Sequence, residues 1–578
     1  MRSRRLLGVL AALVLLTGCG GLPLPNGVRD ADGAVGGTAD DGGIVVVAPG
    51  PQRGTTATQL VEDYLYALSR SPQDGHAVAK RFLAPGVECC GGGGETVLYP
   101  VGGTITTVTP DPSLVRVTFD SVGRISADGA YRLEDDSVED AFRVVPVDGE
   151  LRLSAVPDGL RLVQDDLERS FTPYPVHYLG RAGDGSASGR LVQDRVFLPA
   201  TAEPAQALVD ALLRGPTDRL SGAVSSAAPP GTTAAVRTGG GVATVDLSEQ
   251  VRELDARARQ RLAAQLVWTL VPAYSGVRLL VEGQAFAVDG AGAVQDRRDW
   301  TAYDPVGLDA DAPLLYLDGR RLRRHDAALP EDSPVTTGEL PVDAAAQSPS
   351  SGELAVRTRG ASGVDEVRTG PLGGPFGEPV LRRRGLSDLS WGPGDAGVWV
   401  LEPGPQGPVW RVPGPEAVDR TPERVLYAAP PGAGPLTSLR VSRDGARIAL
   451  VFGGRLHVGR IEPVGPPQAA RVRIADVELV SRELVGVTDV AWESGTSLVA
   501  LGGLEREEQV FPASVAVDGS SFEVVQRPLV GAAAVEVAAA PRLPLVVAAD
   551  VDDERVLYED DGTLFRAQQP GRSPFYPG

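Results

Sequence analysis

The chain has 578 residues, is 42% hydrophobic and carries a formal net charge of −20. That length is too great for one core and points to three or four domains. The acidic balance repels phosphate backbones, so no nucleic-acid partner is expected.

The first element is an export signal. Arg2, Arg4 and Arg5 form a basic start, and Leu6 to Leu16 is an unbroken apolar run. The run is shorter than the roughly 20 residues of a membrane span but suits a secretory signal. It ends in Leu16-Thr17-Gly18-Cys19, which resembles a bacterial lipobox. The resemblance implies cleavage of residues 1–18 and a lipidated Cys19, bearing S-diacylglycerol and N-palmitoyl chains. Two or more chains suffice for stable attachment to a membrane. The expected location is the extracytoplasmic face of the cell membrane. No later apolar run is long enough to span a bilayer, and the processed chain would carry −23.

Residues 19–54 lack any sustained period and read as a flexible tether, with a reach of roughly 30 Å. The first folded domain is expected over 55–173. Leu60, Val61, Tyr64, Leu65 and Leu68 recur at helical spacing, and 77–83 gives a second short helix. Strand-like runs follow at 96–101, 104–108, 114–119, 142–147 and 151–156, separated by Gly and Asp. This is an α+β pattern, compatible with a helix wrapped by one curved sheet, as in NTF2-like or cystatin-like folds. Cys89 and Cys90 lie in this domain. Neighbouring Cα atoms are about 3.8 Å apart, below the roughly 4.4 Å of ordinary disulfides. The pair is either a strained vicinal disulfide, eased by the run Gly91 to Gly94, or two free thiols.

A small α/β domain is expected over 174–300. Pro204 opens a helix containing Leu208 and Leu212, and Gly215-Pro216 closes it. Residues 234–237 and 242–247 read as a hairpin, 255–271 as a long helix and 277–281 as a closing strand. From 305 to 578 helical periods vanish. Leu389-Ser390-Trp391, Leu439-Arg440-Val441 and Val490-Ala491-Trp492 recur about 50 residues apart. An all-strand repeat of 40–50 residues is the pattern of propeller blades, and five or six fit here.

Local chemistry is sparse. His76, His177, His325 and His457 are far apart in sequence and read as surface or partly packed imidazoles. No zinc spacing, nucleophile elbow, phosphate loop or calcium loop occurs. No catalytic residue, metal or cofactor is expected. Carboxylates paired across blades, as a propeller glycan hydrolase or lyase would need, are not visible in a sequence.

The layout resembles the actinobacterial LpqB lipoprotein family over nearly the whole chain. The lipobox, the α+β region and the segment Pro574-Phe575-Tyr576-Pro577-Gly578 carry part of the likeness. The middle region is similar to GerMN domains through residues 207–216, Pro230-Gly231-Thr232, 241–248 and 276–283. Residues 441–449 look like a blade core of the family. The resemblance implies a non-enzymatic protein. Its partner would be the extracellular domain of an MtrB-like sensor histidine kinase, which acts on an MtrA-like regulator in cell-wall homeostasis and division. A peptidoglycan or cell-wall binding module is the alternative, with a glycan hydrolase or lyase behind it. Only Cys19 transfers as a functional position; the Cys89–Cys90 pair belongs to no family pattern.

Overall fold

The computed structural model describes residues 48–578, except 71–75, 91–93, 101–112, 182–186, 202, 361, 405–406, 416, 418, 466–470, 507–508, 528, 530–531 and 553. Cys19, the export signal and the strand expected at 104–108 lie outside the described residues.

In the first domain, helix α1 (Ala57–Arg70) starts where Thr56 Oγ1 accepts the Gln59 N–H at 3.3 Å. Its expected apolar positions, Leu60, Val61, Tyr64, Leu65 and Leu68, are all buried. Each contributes about 1.5–3 kcal/mol by leaving water. A short α2 (Ala77–Lys80) follows. The strands are β1 (Thr96–Tyr99), β2 (Leu114–Asp120), β3 (Gly123–Ile125), β4 (Tyr131–Leu133), β5 (Ser137–Val147), β6 (Glu150–Ala155) and β7 (Leu160–Val163). They form two sheets, β4-β3-β1-β7 and β2-β5-β6, rather than one curved sheet. The β1–β7 pair is parallel, which a meander does not produce. Tyr64 of α1 meets both Phe82 and Phe142 edge-on, which ties the helix to the second sheet. The last residues of the expected tether lie along this domain: Gly50 sits against Arg81, and Arg53 donates to Glu150 at 2.7 Å.

After α3 (Leu167–Ser170) the second domain opens with a long hairpin, β8 (Phe171–Arg181) and β9 (Ala187–Pro199). The sequence pattern missed this hairpin because Pro173 and Pro175 interrupt its first strand. The structure explains why they are tolerated. Residues of their parity turn their N–H away from β9, as His177 does in donating to Thr269 Oγ1 at 3.0 Å. Prolines there forfeit no ladder bond. Then come α4 (Ala205–Arg214), β10 (Val224–Ser225), β11 (Ala234–Gly239), β12 (Val242–Leu247), α5 (Ala256–Leu270), β13 (Gly276–Val281) and β14 (Gln284–Ala285). The sheet order is β11-β12-β13-β14. Asp255 caps α5 by accepting the Ala258 N–H at 2.7 Å. Two buried polar residues one turn apart on α5 stitch the free edge of β8. Thr269 accepts from His177, and Gln265 donates to the His177 carbonyl at 2.9 Å.

The third domain is a propeller of six blades. Blades two to six each have four antiparallel strands, with inner strands Ala344–Gln347, Leu389–Trp391, Leu436–Val441, Leu484–Trp492 and Ala533–Ala538. The first blade is split. Leu315–Asp318 and Arg321–Arg324 supply its outer strands, and Arg572–Phe575 returns to pair with Leu315–Asp318 as its inner strand. The repeats visible in the sequence are inner strands and the turns after them. Trp391 and Trp492 fill equivalent buried positions between blades.

Candidate functional site

The six inner strands surround an axial cavity of about 490 Å³. One position, just before the apolar core residue of each repeat, carries polar groups around it: Asp388, Ser438, Asp489 and Glu536. The three carboxylates do the same work. Asp388 accepts the Leu439 N–H of the next blade at 3.0 Å and the Ser438 hydroxyl at 2.7 Å. Asp489 accepts the Val537 N–H at 2.9 Å. Glu536 accepts the Ser573 N–H at 2.6 Å. Each carboxylate therefore latches its blade to the one that follows.

Arg440 stands between two of them, paired with Asp388 and lying 3.0 Å from Asp489. Burial works against its charge, but the two carboxylates more than reverse that and hold the guanidinium ionised. Burial pushes the Asp489 carboxyl up to about 6, against the pull of Arg440.

The far end of the cavity is closed by Arg443, which follows its inner strand. Its guanidinium donates to three backbone carbonyls from three segments: Trp492 at 2.7 Å, Ala539 at 2.9 Å and Pro577 at 2.9 Å. Burial pulls its pKa down to about 10. The Gly578 N–H donates to the Gln347 carbonyl at 2.9 Å, which completes the floor. The other end, where the inner strands begin, is open.

The floor side also carries the other two domains. Arg132 of β4 and Arg219 after α4 both pair with Glu478 of the fourth blade. Arg219 further donates to the Tyr131 carbonyl at 3.2 Å and the Val517 carbonyl at 3.1 Å. One glutamate thus gathers all three domains. Beside it, Arg447 donates to the Gln193 carbonyl and, at 3.2 Å, to the Gly495 carbonyl. Asp194 is buried here and accepts the Thr217 N–H at 2.7 Å and its hydroxyl at 3.0 Å. Burial raises its carboxyl to about 6.

Of the residues singled out by sequence, Cys89 and Cys90 are joined in a vicinal disulfide with Cα atoms 3.7 Å apart. They lie in the loop between α2 and β1, half-buried and apart from the axial cavity. Of the histidines, read as surface or partly packed, His325 is partly buried, whereas His76, His177 and His457 are packed more deeply than that and are buried. Desolvation drives His177 down to about 3, so it stays neutral as a packing residue. Among the described residues no group of three or more His, Cys, Asp or Glu is arranged to hold a metal. The carboxylates of the cavity were missed because the repeats were aligned on their apolar residues. The polar position one residue earlier carried the signal.

Three family models match the chain. The model for the lipoprotein LpqB N-terminal domain matches residues 50–168, that for sporulation and spore germination 175–286, and that for the lipoprotein LpqB beta-propeller domain 322–577. Lipoprotein LpqB of Thermobifida fusca is 29% identical, over 98% of this chain and 97% of its own length. Lipoprotein LpqB of Rhodococcus opacus is 28% identical, over 91% and 89%. Among solved structures, TolB from Acinetobacter baumannii is similar at a TM-score of 0.35 and 14% identity, over 48% of this chain and 70% of that one.

Proposed function

The chain belongs to the LpqB family of lipoproteins, and on that premise we propose that it is a membrane-anchored accessory protein of a two-component system. Cys19 carries the S-diacylglycerol and N-palmitoyl anchor, which holds the body on the extracytoplasmic face. No helix among the described residues is long and apolar enough to cross a membrane. The partner is the extracellular domain of an MtrB-like histidine kinase. Binding adjusts phosphorylation of an MtrA-like regulator, and with it cell-wall homeostasis and division.

The observation that supports this reading is the use to which the axial carboxylates are put. Asp388, Asp489 and Glu536 accept backbone N–H groups of the next blade, and Arg440 pairs with the first two. That is how a rigid binding body is built, with each carboxylate committed to holding a seam between blades. Glu478 fastens the three domains to one another, so a partner meets one broad surface. Binding without catalysis is enough for the task. A tenfold preference for one kinase state over the other is worth about 1.4 kcal/mol.

The test is cross-linking in native membranes, read by mass spectrometry, together with kinase output in a deletion strain. The expected result is capture of a kinase ectodomain and altered phosphorylation of its regulator. Capture of wall glycan alone, with phosphorylation unchanged, overturns the reading. Cys19→Ala should move the protein from the membrane to the soluble fraction with its fold intact.

A further inference from the structure

The open end of the propeller has a feature that the latching of the blades does not use. Beside the mouth of the axial cavity is a recess of about 400 Å³, lined by Arg320, Arg357, Arg359, Arg572 and Asp343. It sits on the seam where the split first blade meets the second. Arg572 comes from the returning inner strand, Arg320 from the turn of the first blade, and Arg357 and Arg359 from the second strand of the second blade. Asp343, Arg357 and Arg572 line the axial cavity as well, so the two spaces adjoin.

Four guanidinium groups here face two carboxylates. Asp343 is taken up by Arg320 at 2.7 Å. Asp365 spends one oxygen on the N–H groups of Gly385 and Leu386, at 2.8 and 3.0 Å. Its other oxygen lies 3.6 Å from Arg357 and 3.7 Å from Arg359, beyond hydrogen-bond length. Arg357 therefore donates no side-chain hydrogen bond, and its Nε is buried without a partner. Arg572 donates only to the neutral carbonyls of Gly319 and Asp343. The recess thus holds a surplus of two positive charges and one guanidinium whose buried Nε has no partner, a cost that an acceptor entering the recess would relieve.

The geometry points to a binding site for a phosphate-class oxyanion at this seam. Guanidinium forks match tetrahedral oxyanions in two-point contacts, and a dianion balances the surplus of two, which a single carboxylate does not. The acidic surface elsewhere repels such ligands at long range, so recognition is local. Arg357 and Arg572 form the base, and Arg320 and Arg359 the rim. The ligand is either free phosphate or a phosphate group borne on a small alcohol. The site is independent of the kinase reading.

The test is calorimetric titration of the intact protein with inorganic phosphate and with glycerol phosphate, against acetate at equal ionic strength. Saturable binding of either phosphate, with acetate at least tenfold weaker, is expected. If both bind alike, the site takes a carried phosphate group; if inorganic phosphate alone binds, it takes the free ion. Arg357→Gln removes no hydrogen bond of the fold but takes one of two nearby cations from buried Asp365, so it should lower the melting temperature modestly, stay folded by circular dichroism at the titration temperature, and weaken phosphate binding at least tenfold. Arg359→Gln, at the exposed rim, should weaken it less. Binding that is absent, that acetate equals, or that Arg357→Gln leaves unchanged overturns the site.

Discussion

Asp489 accepts the N–H of Val537 at 2.9 Å across the seam between the fifth and sixth blades. Its other oxygen lies 3.0 Å from Arg440, which is also paired with Asp388 of the third blade. Apolar packing between blades, as at Trp391 and Trp492, has little direction of its own, because neighbouring sheets meet through side chains and not through ladder bonds. The carboxylates supply bonds of known direction at each contact they make.

Asp489→Ala strips a buried N–H of its acceptor and half-frees a buried guanidinium, so it should cost about 2–4 kcal/mol. Asp489→Asn keeps an acceptor for Val537 and should cost about half as much. Urea unfolding of the two variants checks this. Equal losses would mean that the charge, and not the bond to Val537, holds the seam.

Arg443 closes the floor with three bonds to carbonyls from three segments. Lysine has donors but no planar fork, and it cannot reach all three directions at once. Arg443→Lys should destabilise the propeller by about 1–3 kcal/mol and Arg443→Ala by more. Hydrogen exchange should report the loss around residues 539 and 577 first. Unchanged protection there would show that the floor holds without the guanidinium.

Burial raises Asp194 to about 6 in the folded protein, against about 3.9 in an unfolded chain. The folded state keeps its proton where the unfolded chain has lost it. The resulting stabilisation is complete below about pH 4 and is lost as pH rises through about 6. Asp194→Asn cannot ionise, and the Thr217 hydroxyl can turn to accept from its amide. The variant should match the parent near pH 4 and exceed it by about 1–3 kcal/mol at pH 7. A gap that does not change with pH would be the wrong outcome.

The Cys89–Cys90 bond encloses no intervening residue. It removes almost no loop entropy from the unfolded chain, which is the main way a disulfide stabilises. Replacing both residues by serine should change stability by under about 0.5 kcal/mol. Mass spectrometry after alkylation, with and without reductant, should report the bond itself. A loss of several kcal/mol would assign the bond a structural role.

Much of the fold is legible where burial is periodic. The apolar stripe from Leu60 to Leu68 marks α1, and the spacing of Trp391, Val441 and Trp492 marks the blades. Legibility fails where the deciding partner is distant. Pro173 and Pro175 hide β8 because its free edge is completed by Gln265 and Thr269, which are far along the chain. The first blade shows no repeat because its strands are divided between residues 315–324 and 572–575. The carboxylates of the axial cavity look like ordinary turn residues until the ring brings each beside the next backbone. The arginines of the seam recess come from two blades, and no spacing along the chain predicts their meeting.

The split blade also sets a timetable. Arg572 reaches Gly319 across 253 residues of chain. At about 5–20 residues per second of synthesis, that stretch takes on the order of 10–50 s to emerge. Until then Leu315–Asp318 has a bare edge, with Leu315 and Leu317, buried in the closed ring, open to solvent. A second copy whose own Arg572–Phe575 has emerged but has not yet docked can donate it to that edge. The characteristic fault of this protein when chains are crowded would be a domain-swapped pair, each closing the other's ring.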